Sequence, residues 1–272
     1  MPLDLEPLLE SFPGRVGVYA RHLDRGETFA RGAEEVMPTA SAAKVFILMT
    51  YAWQCVQGKL DPDTRREIRA GDLVRGSGVL RFCRPGLSPT VQDLAYLMMT
   101  VSDNLATNLL LDVVGGAPAV NEVLRRLGLA GAEILGPIQF EKLEIHFARS
   151  TPRALGEAYA VLAEPKEHGY PPEAAPLCLD VLRRNEYLSG LPRFLPWSQH
   201  AVDFGVELPL TVYGKTGSML RIQTDAGLFV TPAGRYVLAV MCDGFEDPRS
   251  GPAGVASTLH AEVGRAVYEA WK

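Results

Sequence analysis

The 272-residue sequence has no Lys/Arg-rich run, and its 27 basic residues are outnumbered by 32 acidic ones, for a formal charge of −5. Such a chain offers little to a phosphate backbone, so no nucleic-acid partner is expected. Long hydrophobic runs are missing too. The longest apolar stretches, such as Val45–Met49 and Leu94–Met99, fall far short of the ~20 residues that cross a bilayer core, so no membrane span is expected. The opening MPLDLEPLLESFPGRVGV carries acidic residues where a secretory leader would carry basic ones before an apolar core. No export signal is read there, which leaves a cytoplasmic protein or an already processed exported one.

Cysteine is scarce and scattered: Cys55, Cys83, Cys178 and Cys242 form no CxxC pair, which removes the zinc and redox readings and predicts free, mostly buried thiols. The five histidines, His22, His146, His168, His200 and His260, show neither HxH nor HExxH spacing, so neither a metal nor another cofactor is expected. The nucleophile elbow G-x-S-x-G is also absent, which disfavours a Ser-His-Asp hydrolase.

What remains is an ordinary globular composition, 47% hydrophobic and 22% charged. Arg15–His22 and Glu27–Ala30 flank the turn Asp24-Arg25-Gly26 and predict a hairpin. Thr224–Val230 and Arg235–Cys242, around Pro232-Ala233-Gly234, predict a second, and residues 253–271 a closing helix. Between these ends the pattern is helical. Ala42–Gln57 is apolar on nearly every face, as a helix buried on all sides would be. Further helices are predicted from Ser88-Pro89-Thr90 to Val101, over Asn104–Val114 and Val120–Leu127, and from Thr151-Pro152 to Ala163. The fold class is therefore α/β in the α+β sense: an antiparallel sheet formed from N- and C-terminal segments, flanked by helices and interrupted by an all-helical lobe. The boundaries expected are 1–38 plus 196–272 for the sheet lobe and 39–195 for the helical lobe. Catalytic groups would lie between them.

Three short motifs carry chemistry. Ser41-Ala42-Ala43-Lys44 sets a hydroxyl and an amine three residues apart on one helix face. Lys44 is the only charge between Ala40 and Trp53, a setting that can lower an amine's pKa until it takes a serine proton. Ser102-Asp103-Asn104 interrupts two helices, which turns polar side chains toward a cleft; read alone it is a helix cap. Lys215-Thr216-Gly217-Ser218 follows a β-prone stretch, and Gly217 would let a substrate lie close to the strand. A phosphate-loop reading of Gly214-Lys215-Thr216 fails because that loop needs a glycine where Pro209 stands.

S-x-x-K, S-D-N and K-T-G in this order resemble the class A β-lactamases and penicillin-binding proteins, and Gly14–Val18, Pro38–Ser41, Val101–Asn108 and Ser150–Arg153 look like the same family. The resemblance implies that Ser41 is the acylated nucleophile and Lys44 a candidate base. Ser102 would relay a proton to the departing nitrogen between Lys44 and Lys215. Asn104 would hold Lys44 and the substrate's acylamide. The backbone N–H groups of Ser41 and Ser218 would form the oxyanion hole, Gly217 would line the substrate site, and Thr216 and Ser218 with Lys215 would receive the substrate carboxylate; Arg221 is read either as a further partner of that carboxylate or as a plain surface residue. Asp103 is read as bracing its own loop. The partner implied is a β-lactam or a D-Ala-D-Ala-like peptide, and a monomer is expected.

The match breaks at one loop. Class A β-lactamases carry E-x-x-L-N there, whereas this chain has Gly136-Pro137-Ile138-Gln139-Phe140-Glu141-Lys142-Leu143-Glu144-Ile145. Glu141 and Glu144 are the nearest candidates for activating the deacylating water. Four outcomes stay open: a β-lactamase using one of them, a D-alanyl-D-alanine carboxypeptidase-like or penicillin-binding protein with slow release, a hydrolase of another ester or amide, and a non-catalytic penicillin sensor.

Overall fold

Alternating apolar residues at the two ends of the chain and continuous apolar residues in its middle dictate which surfaces can be buried together. The computed structural model describes residues 3–140, 147–198, 200–247, 249 and 251–272. In chain order it contains α1 (Glu6–Leu9), β1 (Arg15–His22), β2 (Thr28–Arg31), β3 (Met37–Pro38), a 3-10 turn at Ala40–Ala43, α2 (Lys44–Val56), α3 (Val91–Thr100), α4 (Asn104–Val113) and α5 (Gly116–Arg126). Then follow β4 (Glu133–Ile134), β5 (Ala148–Ser150), α6 (Pro152–Ala163), α7 (Ala174–Leu182), β6 (Thr211–Met219), β7 (Ile222–Thr231), β8 (Gly234–Asp243) and α8 (Val255–Trp271).

The main sheet is antiparallel, ordered β2-β1-β8-β7-β6. Its centre joins the two ends of the chain, with Arg15 opposite Asp243 and His22 opposite Tyr236. Period-two alternation gives the sheet two apolar faces. Val18, Ala20, Phe229, Leu238 and Val240 pack with α1 and α8, whereas Tyr19, Ala226, Leu228, Ala239 and Met241 join the helical core around α2. The fold is α+β with a helix-flanked antiparallel sheet, as the patterning predicts.

Lys44–Ala52 are all buried, so α2 is enclosed on every side, as its composition requires. The helix starts follow local chemistry. Thr90 accepts from Asp93 N at 3.0 Å while Asp93 accepts from Thr90 N at 2.8 Å, a reciprocal cap. Thr151 accepts from Ala154 N at 3.1 Å with Pro152 in the first turn.

Some details differ from expectation. Ser41 stands on the 3-10 turn rather than on the α-helix proper. The stretch predicted as purely helical also holds β4 and β5; β5 pairs with both β3 and β4 in a small second sheet. Helix α7 was not predicted, and α6 packs directly against β1, β7 and β8. All four cysteines are free, but only Cys178 and Cys242 are buried; Cys55 and Cys83 are half-buried.

Helix α8 approaches the chain leading into β6 at Gly264, where a Cβ would collide with the carbonyl oxygen of Leu191. Gly264→Ala is expected to lower the unfolding free energy by about 1–3 kcal/mol, even though alanine favours the helix by about 1 kcal/mol. Chemical denaturation checks this; a variant at least as stable as the parent would show that the Leu191 backbone gives way.

Candidate active site

The three motifs converge because one glycine has no side chain. A Cβ on Gly217 would stand 2.6 Å from Ala42 N and 2.7 Å from Ser41 N, and would strike Thr39 O. Strand β6 therefore lies backbone to backbone against the turn that carries Ser41, a closeness only glycine permits. The residue before Ser41, Ala40, has φ 46°, a left-handed conformation that costs a non-glycine residue roughly 1–3 kcal/mol. The packing on either side holds it in place.

Beneath Ser41 the amine of Lys44 is fully buried. Its Nζ donates to Ser102 O at 2.8 Å, and lies 3.1 Å from Ser102 Oγ and 3.0 Å from Asn104 Oδ1. Ser102 can offer both oxygens at once because it too is left-handed, φ 54°. Burial, then the nearby charge of Lys215, pushes the Lys44 pKa well below its ordinary value, with Asp103 opposing. Lys215 is equally buried; burial pushes its pKa down to about 7 against the attraction of Asp225, and its Nζ donates to Thr216 O at 2.9 Å. Burial pushes Asp225 up to about 7, resisted by the Leu191 N–H that it accepts at 2.7 Å and by the charge of Lys215.

Asp103 clamps one wall. Its carboxylate accepts from Val79 N at 2.7 Å, Leu80 N at 2.8 Å and, as the cap of α4, Ala106 N at 2.9 Å. Asn104 ties the same wall down, donating Nδ2 to Arg75 O at 3.0 Å. The opposite wall is a strap over the outer edge of β6. Asn185 donates to Gly214 O at 2.9 Å, Thr216 Oγ1 donates to Tyr187 O at 2.9 Å, and Leu191 is held by Asp225. The cleft between them, about 460 Å³, is lined by Ser41, Ser102, Thr216, Gly217 and Ser218 on its floor and by Ser77, Gly78, Val79 and Arg81 on one side and Tyr187, Ser189 and Gly190 on the other. Two roomier hollows, about 750 Å³ beside the start of β6 and about 680 Å³ between Arg66–Arg75 and Pro137–Phe140, hold none of the three motifs.

A model of the beta-lactamase enzyme family matches residues 4–271. The chain belongs to the beta-lactamase enzyme family. Among curated members of that family, β-lactamase PSE-4 of Pseudomonas aeruginosa is 31% identical over 125 residues, 46% of this chain and 43% of that protein. β-Lactamase L2 of Stenotrophomonas maltophilia is 34% identical over 125 residues, covering 46% and 41%. The match thus spans less than half the length of these relatives. Solved structures match more of the chain. The β-lactamase from Sphaerobacter thermophilus superimposes with TM-score 0.84 at 26% identity, covering 98% of this chain and 97% of that one. PBP-A superimposes with TM-score 0.83 at 28% identity over 98% and 93%. A point mutant of PBP-A, an acyl-enzyme complex with penicillin G, superimposes with TM-score 0.81 at 27% identity over 99% and 98%.

Within this family member, Ser41, Ser102, Thr216, Gly217 and Ser218 share the cleft, with Lys44 joined to both Ser102 and Asn104. Arg221 stands apart. It lies at the tip of the β6–β7 hairpin with φ 62°, donates to Gly244 O at 3.1 Å and faces Glu246 at 3.5 Å, and does not line the cleft. Of the two readings of Arg221, its contacts at the hairpin tip match the surface one. Glu141 and Glu144 lie outside the described residues. Sequence reasoning missed both walls, together with Gln223, Gly251 and Ser257, which also line the cleft. Gly76-Ser77-Gly78 signals a turn but not what the turn covers. Among the described residues no cluster of three or more His, Cys, Asp or Glu could hold a metal ion, and no helix is long and apolar enough to cross a membrane.

The depressed pKa of Lys215 gives stability a signature. Between about pH 7 and the ordinary lysine value the unfolded chain binds a proton that the folded chain has lost, so this group's destabilising effect is full below about 7 and fades as pH rises. Lys215→Met should therefore gain most stability over the parent near pH 6, with the gap shrinking toward pH 10. Denaturation of both proteins across that range checks it; a gap independent of pH would contradict a desolvated amine.

Proposed function

We propose that this chain is a serine hydrolase of β-lactams that forms an acyl-enzyme on Ser41 and releases it to water. The observation that supports this most directly is the dehydrated Lys44 amine, hydrogen-bonded to Ser102 and Asn104 below a cleft that Ser41 and Ser102 share. Burial depresses the Lys44 pKa, which makes the free amine, the base the reaction needs, more accessible than in an exposed lysine.

In the proposed reaction the Ser41 Oγ attacks the lactam carbonyl carbon while its proton passes to Lys44. A carbon–oxygen bond forms, and the negative charge moves to the carbonyl oxygen, held by the backbone N–H groups of Ser41 and Ser218. Each such donor is worth about 3 kcal/mol in comparable enzymes. The carbon–nitrogen bond then breaks as Ser102 hands its proton to the nitrogen and is resupplied from Lys44. Lys215, Thr216 and Ser218 face the substrate carboxylate, and Asn104 holds the acylamide. Water then cleaves the ester, with Glu141 or Glu144 proposed to activate it.

A second reading, acylation with slow release, is favoured by the missing E-x-x-L-N sequence and by the likeness to PBP-A. One experiment separates them. Incubation with a penicillin should add one ligand mass at Ser41, and Ser41→Ala should abolish it. A chromogenic cephalosporin should then turn over many times per protein molecule. A lasting one-equivalent burst would support the second reading, and an unmodified chain without turnover would overturn both. In the turnover case, Glu141→Gln or Glu144→Gln should slow release of the acyl group, not its formation.

A further inference from the structure

We propose that Asp225 is a positioning residue of the proposed reaction: from the hidden face of the sheet its carboxylate seats the strap at Gly190–Leu191 and holds Lys215 in its charged form. This rests on the β-lactam reading above and names a residue that reading leaves out. Asp225 stands opposite Thr216 in the β6–β7 register, and Ala226 opposite Lys215. Successive residues of a strand face opposite ways, and Ala226 belongs to the helical core. Lys215 therefore points into that core while Asp225 points to the α8 side. Asp225 is 2% exposed and does not line the cleft.

What it touches is the cleft wall from behind. Asp225 Oδ2 accepts from Leu191 N at 2.7 Å. A Cβ on Gly190 would strike the same oxygen and stand 3.5 Å from His260 Nδ1, and Gly190 itself lines the cleft. The carboxylate thus lies one glycine's thickness behind the cleft, a closeness the missing side chain permits. Two backbone N–H groups, of Leu191 and Ala226, favour its ionised form, but a carboxylate this deeply buried needs a counter-charge as well. The buried ionisable groups on the elements around it are His260 on α8, Cys242 on β8, Tyr159 on α6 and Lys215 on β6. Burial drives the His260 pKa down to about 3 and those of Cys242 and Tyr159 well above their ordinary values, so these three are uncharged at neutral pH. Lys215 is left to balance Asp225, and Asp225 in return raises Lys215 against burial. Lys44 answers to Lys215 and Asp103 instead. A charged Lys215 is what the proposed reaction uses at the substrate carboxylate.

The test reads the pH dependence of acylation. Second-order labelling of Ser41 by benzylpenicillin, followed by intact mass from about pH 5 to about pH 9, should fall in the parent as Lys215 loses its proton. Asp225→Asn keeps an oxygen for the Leu191 N–H and removes the charge, so its descending limb should lie about one pH unit lower, with the maximum within about threefold. Asp225→Ala removes both, and should also lower the maximum about tenfold and speed hydrogen exchange at Leu191 N. Titration of Lys215 Cε by NMR, which needs no substrate, should show the same downward shift in Asp225→Asn. Should Asp225→Asn fail to fold, Lys215→Met supplies the reciprocal reading: the Asp225 carboxyl carbon should titrate about one unit higher than in the parent. Limbs that overlay, rates scaled equally at every pH, or an unmoved Lys215 titration overturn the assignment. If no protein is labelled at any pH, the proposed function fails, and the NMR titrations still decide whether Asp225 holds the Lys215 charge.

Discussion

A lysine amine enclosed three residues beyond Ser41 must find its hydrogen-bond partners inside the protein, because carrying a charge into such a place costs several kcal/mol even after relaxation. Lys44 finds them at both oxygens of Ser102 and at the amide oxygen of Asn104. That requirement shapes the surroundings. It fixes the break between α3 and α4, the left-handed backbone of Ser102 and the start of α4 at Asn104. The second buried amine, Lys215, makes the charged form of Lys44 less favourable still. Burial lowers the pKa of both amines, whereas two solvated lysines would keep the ordinary value.

Strain and support are placed together. Ala40 and Ser102, both left-handed, flank the groups proposed to react. On one side the close approach of Gly217 immobilises the Ser41 turn; on the other the three N–H groups gathered by Asp103 immobilise the 79–80 backbone and the first turn of α4. The nucleophile, the relay hydroxyl and the floor strand thus rest on a helix start, a helix cap and a sheet edge. Positions on such elements vary less than positions on free loops, and a displacement of about 1 Å can lower a rate by ~10²-fold.

Much of this was legible in the sequence because it is set by local chemistry. The enclosed α2 follows from an apolar run with one charge, the cap of α6 from Thr151-Pro152, and the two hairpins from alternation around Gly-containing turns. Helix α7 escaped because Pro171, Pro172 and Pro176 break its helical pattern, although Pro176 falls in the first turn, where proline is tolerated. Strands β4 and β5, of two and three residues, are too short to show alternation. The strap from Asn185 to Leu191 was invisible for a different reason. Its meaning lies in Gly214 O, Thr216 and Asp225, which are distant in sequence and supply its contacts only after the sheet has formed. The two readings of Arg221 stay open in the sequence for a related reason, since spacing along a strand does not reveal which way a hairpin tip turns.

The two halves of the proposed reaction depend on the structure unequally. The proposed acylation draws on groups from the 3-10 turn and α2, the α3–α4 junction and β6, each fixed by several independent contacts, so no single surface change would disperse them. Deacylation adds one requirement, a base beside a water, and general-base catalysis contributes typically 10²–10⁴-fold. Helix α4 holds the start of the loop that departs from E-x-x-L-N, where Asn108 donates to Ile138 O at 3.0 Å and accepts from Ile138 N at 2.8 Å. A loop anchored this way can change its distal residues without disturbing the nucleophile. On the proposed reading that Glu141 or Glu144 supplies that base, its contribution would be about 3–5 kcal/mol for that range of rates. The two proposed steps are therefore separable by measurement: acylation by adduct formation on Ser41, deacylation by release of the acyl group.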